Sequence, residues 1–184
     1  MRSRKHGQEV FDDLKTDLSF VIDVHLARLC KYLRMMGLDC LWKSNYADSE
    51  LLRVSMIEKR QLLTRDRALC RLANEEFSYY VRSIHPNEQL VEVVQKFQLG
   101  KWILKGDHFL TRCLECNTLI ETIQPDQVSD SVPAGVKMRH HKFYSCSTCH
   151  RIYWEGTHFH RMKEWLDEIA MADAHDDPDD DGVG

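Results

Sequence analysis

Four cysteines stand in two Cys-x2-Cys pairs, Cys113 with Cys116 and Cys146 with Cys149, separated by 29 residues. Two such knuckles bring four thiolates within tetrahedral reach of one Zn²⁺. With every position filled by sulfur no site is left for substrate, so the spacing predicts a structural zinc rather than a catalytic one. A small module built around it would draw its folding energy from the metal. His150 follows Cys149 directly and is a poorer ligand candidate. Cys30 sits on a helical apolar face, and Cys40 and Cys70 show no paired spacing, so all three read as buried packing residues.

The second set of chemical residues is three carboxylates, Asp23, Asp48 and Asp66. Grouped carboxylates repel, so bringing them together requires a cation. Mg²⁺ or Mn²⁺, which take oxygen ligands, would balance them, with Asp23 and Asp66 as the expected ligands. Such an ion activates water and stabilises the leaving oxygen of an in-line displacement at phosphorus, which is the chemistry of a nuclease. Asp48 and Asp66 also stand where helix N-caps belong, and capping is the structural alternative for each. Asp23 closes an apolar run, where an acid contributes little to packing.

The third set is cationic. Arg28, Lys31 and Arg34 recur every three residues just after Asp23, and Arg65 and Arg67 flank Asp66. Arg139, Lys142 and Arg151 lie among the cysteine knuckles, with His140, His141, His158 and His160 and the aromatics Tyr144, Tyr153 and Trp154 interleaved. Cations neutralise phosphates and aromatics stack on unpaired bases, so these residues suit a single-stranded nucleic acid, which the family resemblance described below makes RNA. The alternative is a solvated helix face and an aromatic module core, and Tyr153 and Trp154 read as core.

The elements that must position these groups alternate. Residues 18–22 and 61–64 are short apolar runs that read as buried strands, with further strands at 38–42 and 78–83. Helical spacing covers 24–36, ended by Gly37, then 48–59 with Leu51, Leu52, Ser55 and Met56 inward, 66–74, and 86–97 opened by Pro86. The order β-α-β-α-β-α-β-α predicts an α/β domain, a parallel sheet flanked by helices. Ligands of open parallel sheets bind at the carboxyl ends of strands where the strand order reverses, which is where Asp23, Asp48 and Asp66 would converge. Beyond about residue 100 the strands shorten, a turn-rich stretch spans 124–135, and a final helix covers 159–171. The expected domains are a leader over 1–17, the α/β domain over 18–105, the zinc module with its terminal helix over 106–171, and an acidic tail over 172–184.

Composition sets the remaining bounds. Hydrophobic residues make up 43% of the 184, enough for a packed core, and no apolar run reaches the roughly 18 residues that span a bilayer. Residues 1–8 are polar and basic with no apolar stretch behind them, so an intracellular chain is expected, cytoplasmic or nuclear and not secreted. In such a reducing compartment seven cysteines favour metal or free thiols over disulfides. The net charge of −4 conceals an asymmetry. Residues 167–184 hold eight acids and no Lys or Arg, which leaves 25 basic and 21 acidic residues in 1–166, a net +4. The acidic end reads as a solvated tail.

Taken together, several motifs resemble the Mut-seven C-terminal RNase domain family. They are the run from Asp23 to Gly37 (DVHLARLCKYLRMMG), Leu62-Leu63-Thr64-Arg65-Asp66-Arg67, Arg112-Cys113-x2-Cys116-Asn117, Val132-Pro133, and Cys146-x2-Cys149-x3-Tyr153-Trp154-x-Gly156-Thr157-His158. They run in consistent order over about 18–166, and the combination is far more specific than any one of them. The resemblance implies a PIN-like nuclease fold with an appended four-cysteine zinc ribbon and a terminal helix. It implies metal-dependent RNA cleavage, with the family's clustered acids carried onto Asp23, Asp48 and Asp66. A PIN-type site often has a fourth acid, which the sequence leaves unassigned. In animal members this domain can follow a three-prime exonuclease domain, which would be a partner in the same chain. Two other functions fit the sequence. One is an RNA-binding platform for such an exonuclease. The other is a protein-interaction scaffold docking through its tail or last helix.

Overall fold

A computed structural model describes residues 18–106, 108–128 and 132–175. The expected leader and most of the expected tail, 176–184, lie outside the described residues. The described residues form two compact units, 18–33 with 38–89, and 34–37 with 90–175.

In the first unit, uninterrupted apolar runs make strands covered on both faces. In β1 (Ser19–Ile22), Phe20, Val21 and Ile22 are fully buried. It pairs in parallel with β2 (Asp39–Leu41) on one side and β3 (Gln61–Thr64) on the other, and β3 pairs in parallel with β4 (Ser78–Tyr80). The order is β2-β1-β3-β4, the parallel α/β sheet expected. The core of this unit gathers Val21, Leu51, Val54, Leu62 and Leu69.

Local chemistry sets the boundaries. The Asp23 carboxylate accepts the His25 N–H, so the chain enters a 3-10 turn (Val24–Leu26) before α1 (Ala27–Met35). Gly37, at φ +83°, ends that segment as expected of a helix C′ residue. The helix expected at 48–59 is α2 (Asp48–Glu58), but its N-cap is Ala47 rather than Asp48. Glu50 folds back to accept the Ala47 N–H at 3.3 Å, leaving Asp48 in the first turn. The helix buries Leu51, Val54 and Ser55 and turns Met56 outward, 73% exposed, against expectation. Next comes α3 (Arg67–Leu72), capped by Asp66. It ends before Asn74, because the Asn74 carboxamide captures the Glu76 N–H and starts a 3-10 turn, Glu75–Phe77. Strand β4 stops at Tyr80 rather than Ser83. After Val81 bonds to the Thr64 carbonyl, Arg65 takes the Arg82 and Ser83 carbonyls with its guanidinium.

Helix α4 (Pro86–Lys96) contains the boundary between the units. In the second unit α5 (Gly100–Lys105) packs on the terminal helix α7 (Thr157–His175). A side chain at Gly100 would meet the Ala170 carbonyl at 2.7 Å, so only glycine allows this approach. Sequence reading places no helix at 100–105, and it ends the last helix at 171, four residues early. An antiparallel sheet is ordered β5 (Ile120–Ile123), β6 (Phe143–Cys146), β7 (Ile152–Trp154). The turn-rich connection contains a 3-10 turn, Pro125–Gln127, and leads into α6 (Ala134–Arg139). Phe143, Val128 and Val132 form the core here, with Ile152 and Trp154 packed against it, so Trp154 is a core residue as expected. No helix among the described residues is long and apolar enough to cross a membrane.

Candidate active site and metal centre

Strand β1 lies between β2 and β3, so successive connections leave it in opposite directions and the order reverses there. Loops that follow such strands part and leave a crevice. A cleft of about 460 Å³ occupies that position, lined by Asp23, Val24, His25, Tyr46, Asp48, Arg65, Asp66 and Arg67. All three sequence-selected acids are among its walls. Asp23 is 5% exposed, and its backbone N–H extends the β1–β3 ladder to the Leu63 carbonyl. Thr64, fully buried, donates its hydroxyl to Asp23 Oδ2 at 2.6 Å and accepts the Asp66 N–H at 2.9 Å. One hydroxyl therefore ties the first acid to the backbone of the last. Asp66 Oδ1 accepts the Ala68 and Leu69 N–H groups, so its helix-cap alternative is realised at the same time. Asp48 is exposed in the first turn of α2.

The cations divide. Arg28 and Lys31 are exposed on α1, but Arg34 is 3% exposed and does not belong to a surface stripe. A step of three residues falls short of a full helical turn, so two steps rotate the position by about 120° and carry Arg34 inward. Its guanidinium instead donates to the Leu114 and Glu115 carbonyls at 2.9 and 2.8 Å, bracing the first cysteine knuckle. Arg65 and Arg67 line the cleft. Arg65 is anchored on the 82–83 carbonyls, and Arg67 is exposed with its guanidinium over the Tyr80 ring. Arg139, Lys142 and Arg151 are exposed in the second unit. Sequence reasoning missed Thr64, His25 and Tyr46. Thr64 was signalled by a hydroxyl two residues before an acid at a strand end; Tyr46, in a loop, carried no signal.

The second centre is tighter. The ligand atoms of Cys113, Cys116, Cys146 and Cys149 all lie within 4.8 Å of one another. Each knuckle closes with the same turn: Asn117 at φ 68° and His150 at φ 56° donate to the Cys113 and Cys146 carbonyls, both at 2.9 Å. His150 thus serves as a left-handed turn residue and stays outside the cluster. Cys113 and Cys146 are buried, Cys116 is half-buried and Cys149 is exposed. Burial opposes ionisation of Cys146, but the Cys149 backbone N–H and the Cys116 thiol outweigh it and lower its pKa. Desolvation and the surrounding thiols push Cys149 up to about 12. Four sulfurs in tetrahedral reach suit a soft or borderline ion, so the cluster can hold a metal such as zinc. Cys30 and Cys40 are buried as expected, whereas Cys70 is only partly so.

Among the described residues, these cysteines are the one group of three or more His, Cys, Asp or Glu ligands drawn so close. The three aspartates share a cleft without reaching that proximity.

The chain thus joins a parallel α/β domain with three acids at its switch point to a tetracysteine β-module. The chain belongs to the Mut7-C RNAse domain family, whose pattern matches residues 18–166. No curated protein and no solved structure matches the chain.

Proposed function

We propose that the chain is a metal-dependent ribonuclease domain that takes single-stranded RNA at the β1–β3 cleft, and that its four cysteines hold a structural Zn²⁺. The convergence of Asp23, Asp48 and Asp66 on one cleft supports this reading. Mg²⁺ binds through one or two carboxylates and keeps several waters, so acids spread along a cleft suit it without a tight cage. Asp23 and Asp66 would hold Mg²⁺ or Mn²⁺, with Asp48 on the same wall system. The ion supplies an activated water and charge for the phosphate. Asp23 is kept in place by the Thr64 hydroxyl, and Asp66 by its own cap bonds. Arg67, together with the N–H groups of Arg65 that face no carbonyl, binds phosphate oxygens. Arg28 and Lys31 extend the grip within the first unit, and Arg139, Lys142 and Arg151 give the second unit phosphate-binding cations of its own.

End-labelled single-stranded RNA incubated with Mn²⁺ tests this. Cleavage by the parent, lost with EDTA and in Asp23→Asn and Asp66→Asn, is the expected result. No cleavage by the parent, or variants that cut at the parental rate, overturns it.

The hydrogen bonds already accepted by Asp23 and Asp66 favour one other reading, an RNA-binding platform that serves a neighbouring exonuclease domain. It predicts salt-sensitive RNA binding that survives EDTA and both substitutions, without cleavage. Either role suits an intracellular, reducing compartment.

A further inference from the structure

The four thiols do not have equal support from their surroundings. Cys113 is fully buried, so water cannot hydrogen-bond its sulfur. A buried thiolate without a donor is costly, and the protein must supply one. The Tyr153 hydroxyl lies 3.1 Å from Cys113 Sγ and 3.2 Å from the Leu114 nitrogen. The Leu114 N–H can only donate, so the tyrosine oxygen accepts there. That leaves the hydroxyl hydrogen for the sulfur, and a metal-bound thiolate has no hydrogen of its own to offer in return.

We infer that Tyr153 is a positioning residue of the metal centre, donating an O–H···S hydrogen bond to the Cys113 thiolate. Tyr153 stands on β7, after the second knuckle, yet its hydroxyl grips the first. It therefore joins the two halves of the ligand set without being a ligand. Partners of this kind fix ligand orientation and draw charge from the sulfur. The opposite residue in the β6–β7 register, Tyr144, donates its hydroxyl to Glu155 Oε1 at 2.7 Å instead of to a cysteine. The fold thus contains its own control. The inference rests on the reading of the four cysteines as a metal site.

The test uses the full chain and its Tyr153→Phe and Tyr144→Phe variants. Zn²⁺ affinity is measured by chelator competition, and Co²⁺ loading is followed by its sulfur-to-metal absorption. Tyr153→Phe keeps the ring and is expected to weaken Zn²⁺ binding about tenfold. Its Co²⁺ bands move to longer wavelength, because a thiolate without a donor gives up charge more easily. Tyr144→Phe is expected to match the parent in both. Parental affinity and spectrum in Tyr153→Phe, or an equal change in Tyr144→Phe, overturns the inference and leaves the metal site standing. A parent that takes up neither ion overturns both. Should Tyr153→Phe fail to fold, proton NMR of the Zn²⁺-loaded parent decides. A slowly exchanging Tyr153 hydroxyl proton is expected, and a freely exchanging one overturns the inference.

Discussion

The cysteine cluster and the carboxylate cleft have reached different degrees of closure. Four sulfurs crowd within 4.8 Å, whereas the three aspartates line one cleft at greater distances. Charge explains the difference. A thiol is mostly neutral near pH 7 and tolerates neighbours of its own kind; a carboxylate, ionised above about pH 4, repels them. Cysteine ligands can therefore be preassembled by backbone turns alone. The aspartates are brought to one cleft by strand topology, and their mutual repulsion opposes a closer approach.

The largest effect expected follows from that closure. Cys146→Ser removes a buried ligand from a preassembled set, and structural Zn²⁺ sites carry roughly 10–16 kcal/mol of apparent binding energy. Hydrogen exchange should show β5–β7 losing protection while β1–β4 keep theirs. Equal protection in both sheets would mean that the module stands without metal. Zinc uptake should also release protons, since Cys149, with a pKa of about 12, is protonated at neutral pH and binds as thiolate. Affinity should therefore rise as pH rises through 7 to 9, measured by competition at each pH.

The cleft should respond differently. Asp23→Asn removes the carboxylate proposed to hold the ion while keeping a side chain that Thr64 can still reach. The expected loss in RNA cleavage is about a hundredfold or more, since metal stabilisation of a transition state contributes several kcal/mol. Thermal stability should change far less than in Cys146→Ser. A variant that melts early rather than cutting slowly would place Asp23 with the structural residues.

The unequal closure also explains what could be read from sequence. Cys113, Cys116, Cys146 and Cys149 are set by two local turns, so their spacing alone located them. Asp23 and Asp66 were legible because apolar runs fix where β1 and β3 end. Residues whose role depends on who packs against them were not. Arg34 looks like a member of a basic stripe, and only the carbonyls of Leu114 and Glu115 reveal it as a buried brace. Gly100–Lys105 carries no strong periodic signal of its own and becomes a helix by packing on α7. Met56 has the hydrophobicity of an inward residue, but the buried face of α2 runs through Leu51, Val54 and Ser55, and one further residue turns it by about 100° into solvent.

A smaller effect separates the two centres by how each holds a carboxylate. Thr64 and Asp23 are both buried, so Thr64→Val leaves the Asp23 side chain with one donor fewer. A hydrogen bond to a charged group contributes about 1.5–3 kcal/mol, and chemical denaturation should show a loss of that order, largely restored by Thr64→Ser. An unchanged midpoint would mean that the cleft rehydrates and that Asp23 needs no partner.

The matching pair in the cysteine module, Tyr144 and Glu155, is only partly buried, so its contribution should be the smallest of these. It has a distinct signature. Burial, and then the Glu155 carboxylate, raise the Tyr144 pKa from 10 to about 12. Folding therefore favours the protonated phenol. The stabilisation is complete below pH 10 and is lost as pH climbs from 10 towards 12. Denaturation midpoints across that interval should fall more steeply for the parent than for Tyr144→Phe, and the two should run parallel below it. The Thr64–Asp23 pair has no phenol to ionise, so Thr64→Val should shift the curve without changing its slope there. A parent and a Tyr144→Phe variant with the same slope would mean that solvent already reaches this pair. The buried carboxylate of the cleft would then be the one whose hydroxyl partner matters to the fold.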